Sequence, residues 1–471
     1  MLLINNNINE IAMSSLSLPF LFHPSSLHPH HTLCPESLKV ICECTESLVR
    51  LTPKGRPLPG LAKKWQKLSD TTYQFTLQDN LVWSTGEIIT ASDFIHSWQD
   101  ILEPKNKTLV APLFYIIDGA EAIHKGLSGK HTLGVKALDN HTLIINTTHP
   151  IPYILTLLGH PAFAPIHPCS TTKNPISCGP FIPEEIDKKL SLRANTYYWN
   201  APKIRLKRIQ FVPTTISESK DLFDKGTIHV LDGHNTTPQI NHTTHITPHS
   251  MTQFLCLTQL FHPYPLLRHA LATIIDRNAM TKDNPLIKPA FSLVHPHIKG
   301  HIMPTVYARS KAIDKAKELI ANTKIMPIDL HYSPEYAHMA GFLAQSWQDD
   351  LGLTVHTHKH PETTYLTGIK NGEFSAYLHK WQALYDDPYT FLSMSPFVMP
   401  HYKPPEGIDK ANTLTGLDRY IALHNYEINL LKDFYIIPLS HQTQQHKVHT
   451  SVKECTPSHF YGFNGRLMGR T

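Results

Sequence analysis

Histidine is the chemistry-bearing side chain that stands out, at 33 of 471 residues. Four loose groups occur: His28, His30 and His31; His242, His245 and His249; His295, His297 and His301; His356, His358 and His360. Imidazole clusters suit nickel, copper or zinc. The last trio alternates, so on a strand its three rings would share one face. Yet no HExxH is present, and no group combines with carboxylates at a set spacing. Without carboxylates to orient the rings, a histidine-rich surface with weak, non-stoichiometric metal binding is expected. No cofactor is expected.

The seven cysteines are Cys34, Cys42, Cys44, Cys169, Cys178, Cys256 and Cys455. Cys42 and Cys44 sit too close together for two-pair zinc spacing, and there is no CxxC. Scattered thiols are the favoured reading. The alternative is a small loop closed by Cys169 and Cys178 in an oxidising compartment. The sequence holds no GxGxxG, no P-loop, no GxSxG elbow and no evident triad. Triads assemble in space, so this absence is modest evidence, but no enzyme is expected.

Composition narrows the field further. A chain of 471 residues predicts two or three domains. The net charge of +5 is spread along the sequence, with no lysine or arginine block to track a phosphate backbone, so no nucleic-acid partner is expected. No stretch approaches the ~18–20 consecutive apolar residues of a membrane span. The apolar patch Leu16 to Phe22 has no basic residue before it and no small-residue cleavage site after it, so it makes a poor signal peptide.

The elements that must position any site read as mixed α and β. Tyr73, Phe75 and Leu77 alternate with polar neighbours, as in a half-buried strand. A turn at Ser84-Thr85-Gly86 precedes a capping box at Thr90 to Asp93, which opens a helix with Phe94, Ile95, Trp98, Ile101 and Leu102 on its apolar stripe. A hairpin is expected at Val135 to Ile145, turning at Asp139-Asn140, where asparagine tolerates positive φ. Leu267, Leu271, Ile274 and Ile275 have helical spacing ahead of Asp276-Arg277. Ser310 is placed to cap a helix carrying Ile313, Ala316, Leu319 and Ile320. Met339, Leu343 and Trp347 predict a helix stopping at Leu351-Gly352, followed by a strand from Leu353 to His358. The Pro/Thr/His-rich stretch 234–250 reads as a loop dividing two lobes.

Several of these segments resemble, in order, the oligopeptide-binding proteins of peptide ABC importers, the family 5 extracellular solute-binding type. Leu58 to Trp65 (LPGLAKKW) resembles the family's PGLAESW, and Val82 to Gly86 with Thr90 to Phe94 is similar to its WSNG…TAxDF. Asn174 to Phe181 with Tyr198-Trp199 resembles NPxGxGPF…NPxYW. His269 to Arg277 resembles RxALxxAIDR, and Trp381 to Leu392 (WQALYDDPYTFL) resembles WxADYxDPxxFL. The likeness runs from about residue 23 to 465. It implies an α/β protein of the periplasmic-binding type, with two large lobes, hinges near residues 250 and 436, and an interlobe cleft. In that scheme residues 23–57 and 163–250 form lobe I, 58–162 a small inserted lobe, 251–436 lobe II, and 437–471 return to lobe I. The implied function is peptide capture by strand addition and closure, with delivery to ABC permease and ATPase partners. A monomer in the periplasm or cell envelope is implied. The alternatives are a metal or metal-chelate receptor of the same fold, or a degenerate paralogue acting in interaction or sensing. A hydrolase ranks below these.

The resemblance also implies site residues. Trp381 is the expected cleft wall, with Tyr385 and Asp386 lining or supporting it, while Asp387-Pro388 is expected to start the next helix. Leu384 stands where the family usually has the aspartate that pairs with the peptide's α-amine. The segment His23 to Pro29 (HPSSLHP) resembles EPxSLDP, with both acids replaced by histidine. Both departures point away from ordinary recognition of a free N-terminus.

Overall fold

The computed structural model describes residues 15–20, 26–32, 35–106, 108, 110–172, 174–186, 189–232, 242–305, 312–322, 325–394, 398–399, 402–453 and 468–470. The start of the His23 to Pro29 motif, Ser310, Cys34 and Cys455 lie outside them. The chain forms two compact units, unit 1 from residues 1–247 and 444–471, and unit 2 from 248–443.

Unit 1 carries two four-stranded sheets. In the first, β1 (Ser15–Phe20) runs parallel to Arg208–Pro213, which is followed antiparallel by Lys189–Ala194 and Phe181–Ile186. Leu16, Phe20, Phe181, Leu192, Ile209 and Phe211 alternate inward from these strands to make one core. The second sheet is antiparallel, with β2 (Ala62–Lys67) beside β3 (Thr72–Leu77), which then pairs with the hairpin β4 (Val135–Asp139) and β5 (Thr142–Asn146). Tyr73, Phe75 and Leu77 point inward from β3, as their alternation required.

The capping-box signal is also fulfilled. Helix α1 (Ala91–Ile101) starts after Thr90, whose N–H donates to Asp93 Oδ2 at 2.6 Å, and it buries Phe94, Trp98 and Ile101. Trp98 meets Phe94, Phe114 and Phe163 edge-on at 5.8–6.1 Å, and its indole N–H donates to Phe163 O at 3.2 Å. The hairpin turn differs from expectation. Asn140 is not among the positive-φ residues, and Asp139 closes the turn instead. Its carboxylate accepts from His141 N at 2.7 Å and from the Thr142 hydroxyl at 3.0 Å, an Asx turn that needs no left-handed residue.

The stretch 234–250 departs more sharply. Its described part, from His242, belongs to a strand, β6 (His242–Leu257), and is not a loop. Thr243, Thr244, Ile246 and Thr247 are β-branched, and their preference for extended backbone outweighs the proline and histidines that suggested a linker.

In unit 2, residues 251–257 of β6 pair antiparallel with β7 (Ala376–Gln382). Ile328–Tyr332 runs parallel to β7 and to Val355–Lys359. Helix α2 (Pro265–Thr273) buries Leu267 and Leu271, and Asp276 then caps the short helix Arg277–Thr281 by accepting from Ala279 N at 2.9 Å. Helix α3 (Ala337–Leu351) buries Met339, Leu343 and Trp347 and stops at Gly352, which takes φ 67°. The helix expected after Ser310 spans Ile313–Ile320.

Candidate functional site

The resemblance singled out Trp381, Leu384, Tyr385 and Asp386, and the structure gathers them at the end of β7 in unit 2. Trp381 is half-buried and paired with Thr252 in the ladder, and its indole N–H donates to Thr390 O at 2.8 Å. The strand path ends with Ala383 N donating to Ser250 O at 2.7 Å, and Leu384 N then donates to Thr390 Oγ1 at 3.0 Å. Thr390 therefore holds the segment at two points. Leu384 is half-buried, whereas Tyr385 is buried at 4% exposure. Asp386 turns toward another loop, where its Oδ1 accepts from Lys299 N at 2.9 Å.

Asp387 does more than begin a helix. Its Oδ1 accepts from Tyr389 N at 3.0 Å, just ahead of α4 (Tyr389–Leu392), so the helix-start expectation describes one of its bonds. The same carboxylate takes two N–H bonds of 2.8 Å from Arg419, and both side chains are buried. Burial pushes the Asp387 carboxyl upward, while the Arg419 guanidinium pulls it back down. Arg419 lies 32 residues away in sequence, so no local pattern marks the pair.

The motif segments outside this region hold structure together. Ser84 N donates to Ser177 O at 2.8 Å and Ser177 N to Ser84 Oγ at 3.0 Å, joining the VWSTG and NPISCGPF motifs. Gly179 packs so closely on α5 (Pro35–Cys44) that a Cβ there would come within 2.6 Å of Cys44 backbone carbon. Cys42, Cys44, Cys169, Cys178 and Cys256 are free thiols, so the small loop between Cys169 and Cys178 is not closed. Cys178 instead accepts from Glu46 N at 3.3 Å.

Several of the described histidines bond or stack on one another and on nearby groups. His331 pairs across the ladder with His358, stacks on it at 4.8 Å, and shares a 2.9 Å hydrogen bond between its Nδ1 and His360 Nε2. His358 Nε2 bonds Asp329 Oδ1 at 2.7 Å. Of the expected alternating trio, His356 and His358 lie on the strand Val355–Lys359, and His360 follows its end. Among the described residues no group of three or more His, Cys, Asp or Glu side chains is disposed to hold a metal ion.

Below the candidate segment lies a buried polar cluster. His441 touches Thr252 Oγ1 at 3.0 Å and stands edge-on to His295 at 4.8 Å. Glu427 Oε1 accepts from Leu293 N at 2.7 Å and Val294 N at 3.1 Å. Burial raises the Glu427 carboxyl to about 8, against the pull of those two N–H groups. A folded value above the unfolded one gives stability that is complete below the unfolded value and lost as pH rises through about 8. Replacing Glu427 by Gln keeps both N–H bonds and removes the titration. Unfolding free energy of the native protein is expected to fall by about 1.5 kcal/mol between pH 6.5 and 8 through this group. Urea titrations of E427Q should lack that loss, and an unchanged pH slope would show that Glu427 is already ionised at neutral pH.

The sequence profile of the bacterial extracellular solute-binding proteins, family 5, matches residues 56–397. The chain belongs to that family. The periplasmic oligopeptide-binding protein OppA of Salmonella typhimurium is 27% identical over 462 residues, covering 88% of this chain and 84% of its own. The periplasmic murein peptide-binding protein MppA of Escherichia coli is 27% identical over 406 residues, covering 79% of this chain and 75% of its own. The solved Escherichia coli murein tripeptide binding protein superposes with a TM-score of 0.87 at 24% identity, over 97% of this chain and 98% of its own. A Borrelia burgdorferi oligopeptide-binding protein does so at 0.87 and 23%, over 97% and 100%. These structures share the mixed α/β fold, the fold class the sequence implied.

Proposed function

We propose that this chain is the solute-binding component of a peptide ABC importer, capturing a peptide outside the cytoplasmic membrane and delivering it to a permease driven by a partner ATPase. It binds its ligand and catalyses no reaction. The observation that carries this reading is the family match across residues 56–397, joined by relatives that are named for binding oligopeptides and murein peptides. In this reading residues 58–162 form a small lobe within unit 1, and the protein works as a monomer in the periplasm or cell envelope.

The ligand contacts are assigned to the end of β7. Trp381 offers a flat wall with its one donor already satisfied, which suits a variable side chain. Tyr385 and Asp386 support the segment, and Leu384 presents an apolar side chain where an amine partner would otherwise stand. Native mass spectrometry of freshly purified protein tests the reading. One peptide per chain is expected, released on mild denaturation. A stoichiometric metal ion, or no bound peptide together with no affinity for any member of a peptide panel, would overturn it.

A further inference from the structure

A buried charge pair of unit 2, Arg419 with Asp387, adjoins the candidate ligand segment. Arg419 lies in α6 (Gly416–Leu431), and its guanidinium reaches both Asp387 oxygens at 2.8 Å. Two further N–H bonds reach Asn412 Oδ1 on the preceding helix Ile408–Thr413, from Nε at 3.2 Å and from Nη2 at 2.6 Å. The Arg419 and Asp387 side chains are only 1% and 3% exposed, so water does not compete for these bonds. A planar fork gripping a carboxylate from two sides fixes direction as well as distance.

The neighbouring residue works on the other carboxylate. Tyr420 packs against Gly300, whose φ is 83° and where a Cβ would fall 2.2 Å from the tyrosine ring. The adjoining Lys299 N–H is the donor that holds Asp386. The first turn of α6 thus fixes two successive residues of the segment, Asp387 directly and Asp386 through the Lys299-Gly300 loop. Thr390, the anchor of Trp381 and Leu384, follows three residues after Asp387 and donates its N–H to Asp387 O at 3.2 Å.

We infer that Arg419 is a positioning residue for ligand binding: through Asp387 it sets the path from Leu384 to Thr390, and with it the placement of the Trp381 wall. The inference rests on the assignment of that segment to the ligand under the proposed function. A buried ion pair is often replaceable by packed apolar residues with little loss of stability, whereas removing one partner strands a charge. That contrast separates positioning from plain stabilisation.

The test uses the full chain with three variants: R419M, the double variant R419M with D387M, and R419K. Binding is measured with Ala-Ala-Ala and its N-acetylated form, and the Trp381 contribution to emission is isolated by subtracting the spectrum of the same protein carrying W381F. R419M is expected to lose thermal stability. The double variant is expected to recover most of it, yet to bind the better tripeptide at least tenfold more weakly and to show a shifted Trp381 emission. R419K keeps the charge without the two-point grip and is expected to show the same two changes if the methionine variants do not fold. Wild-type affinity and wild-type Trp381 emission in the double variant, or in R419K where only that variant folds, would overturn the inference. Should the wild type bind neither tripeptide nor any panel member, the proposed function fails, while the Trp381 emission still decides whether Arg419 sets the segment.

Discussion

Acidifying the protein from pH 6.5 to 4.5 is expected to remove about 2 kcal/mol of stability from unit 1 through His160 alone, with His30 acting in the same direction. His160 has no exposed surface, and its Nδ1 accepts from Ala162 N at 3.1 Å, so that nitrogen cannot carry a proton without breaking the bond. Burial pushes it down to about 3. His30, at 2% exposure, is also lowered by burial, and the rings of His28 and His31 add to the shift because each would bring like charge. His28 itself falls to about 4, with Asp100 opposing slightly.

The sign follows from where the proton is preferred. A folded value below the unfolded one means stability that is present above pH 6.5 and lost as pH falls toward the folded value. Two units of pH cost the His160 ring about 2 kcal/mol. Against a total of about 5–15 kcal/mol for an ordinary domain, that one ring is a substantial share. The surface ion pairs, such as Lys67 with Asp70, are solvent-exposed and contribute little to this slope. H160N supplies an amide oxygen to the Ala162 N–H without a titrating group. Urea unfolding of H160N between pH 6.5 and 4.5 should show a slope lower by nearly one proton. Parallel profiles for H160N and wild type would mean that His160 is not a source of acid lability.

Local pattern carried much of the fold. Met339, Leu343 and Trp347 repeat at helical spacing, and Gly352 can take the left-handed cap, so α3 and its end could both be read. The same holds for β3 and for the box that opens α1. Segment 242–249 is strand where its proline and histidines suggest a loop, because the effect of its four β-branched residues is realised only once a neighbouring strand is present. The Asp387–Arg419 pair was invisible for a different reason. Its partners meet only after the helix Gly416–Leu431 packs against the segment, and a single arginine among 43 basic residues carries no periodic signal. The segment Trp381 to Asp386 was therefore legible as a motif, while the side chains that hold it in place were not.

Placing an aspartate at position 384 is expected to strengthen binding of peptides with a free α-amine by roughly 10–100-fold, from a charge-assisted bond of about 1.5–3 kcal/mol. On the proposed assignment of this segment to the ligand, an ammonium beside Leu384 would lose hydration at a cost of several kcal/mol, and the apolar side chain would return nothing. Acetylated peptides, or peptides whose amine lies elsewhere, avoid that cost and should bind the native protein more tightly than their free-amine counterparts. Asp386 is a poor substitute partner, because one of its oxygens already accepts from Lys299 N. Asp387 is poorer still, since both its oxygens face Arg419 in a buried pair. The backbone at position 384 is held by its N–H bond to Thr390 Oγ1, which does not depend on the side chain, so L384D should leave the segment in place. Neighbouring Asp386 and Asp387 add like charge, but Arg419 neutralises the nearer-buried one. Calorimetric titration of matched free and acetylated peptides into wild type and L384D measures the effect directly. The expected outcome is a reversal of preference, with the acetylated series favoured by wild type and the free series by L384D. A wild type that already prefers free amines, joined by an L384D protein with the same preference, would remove position 384 from amine recognition.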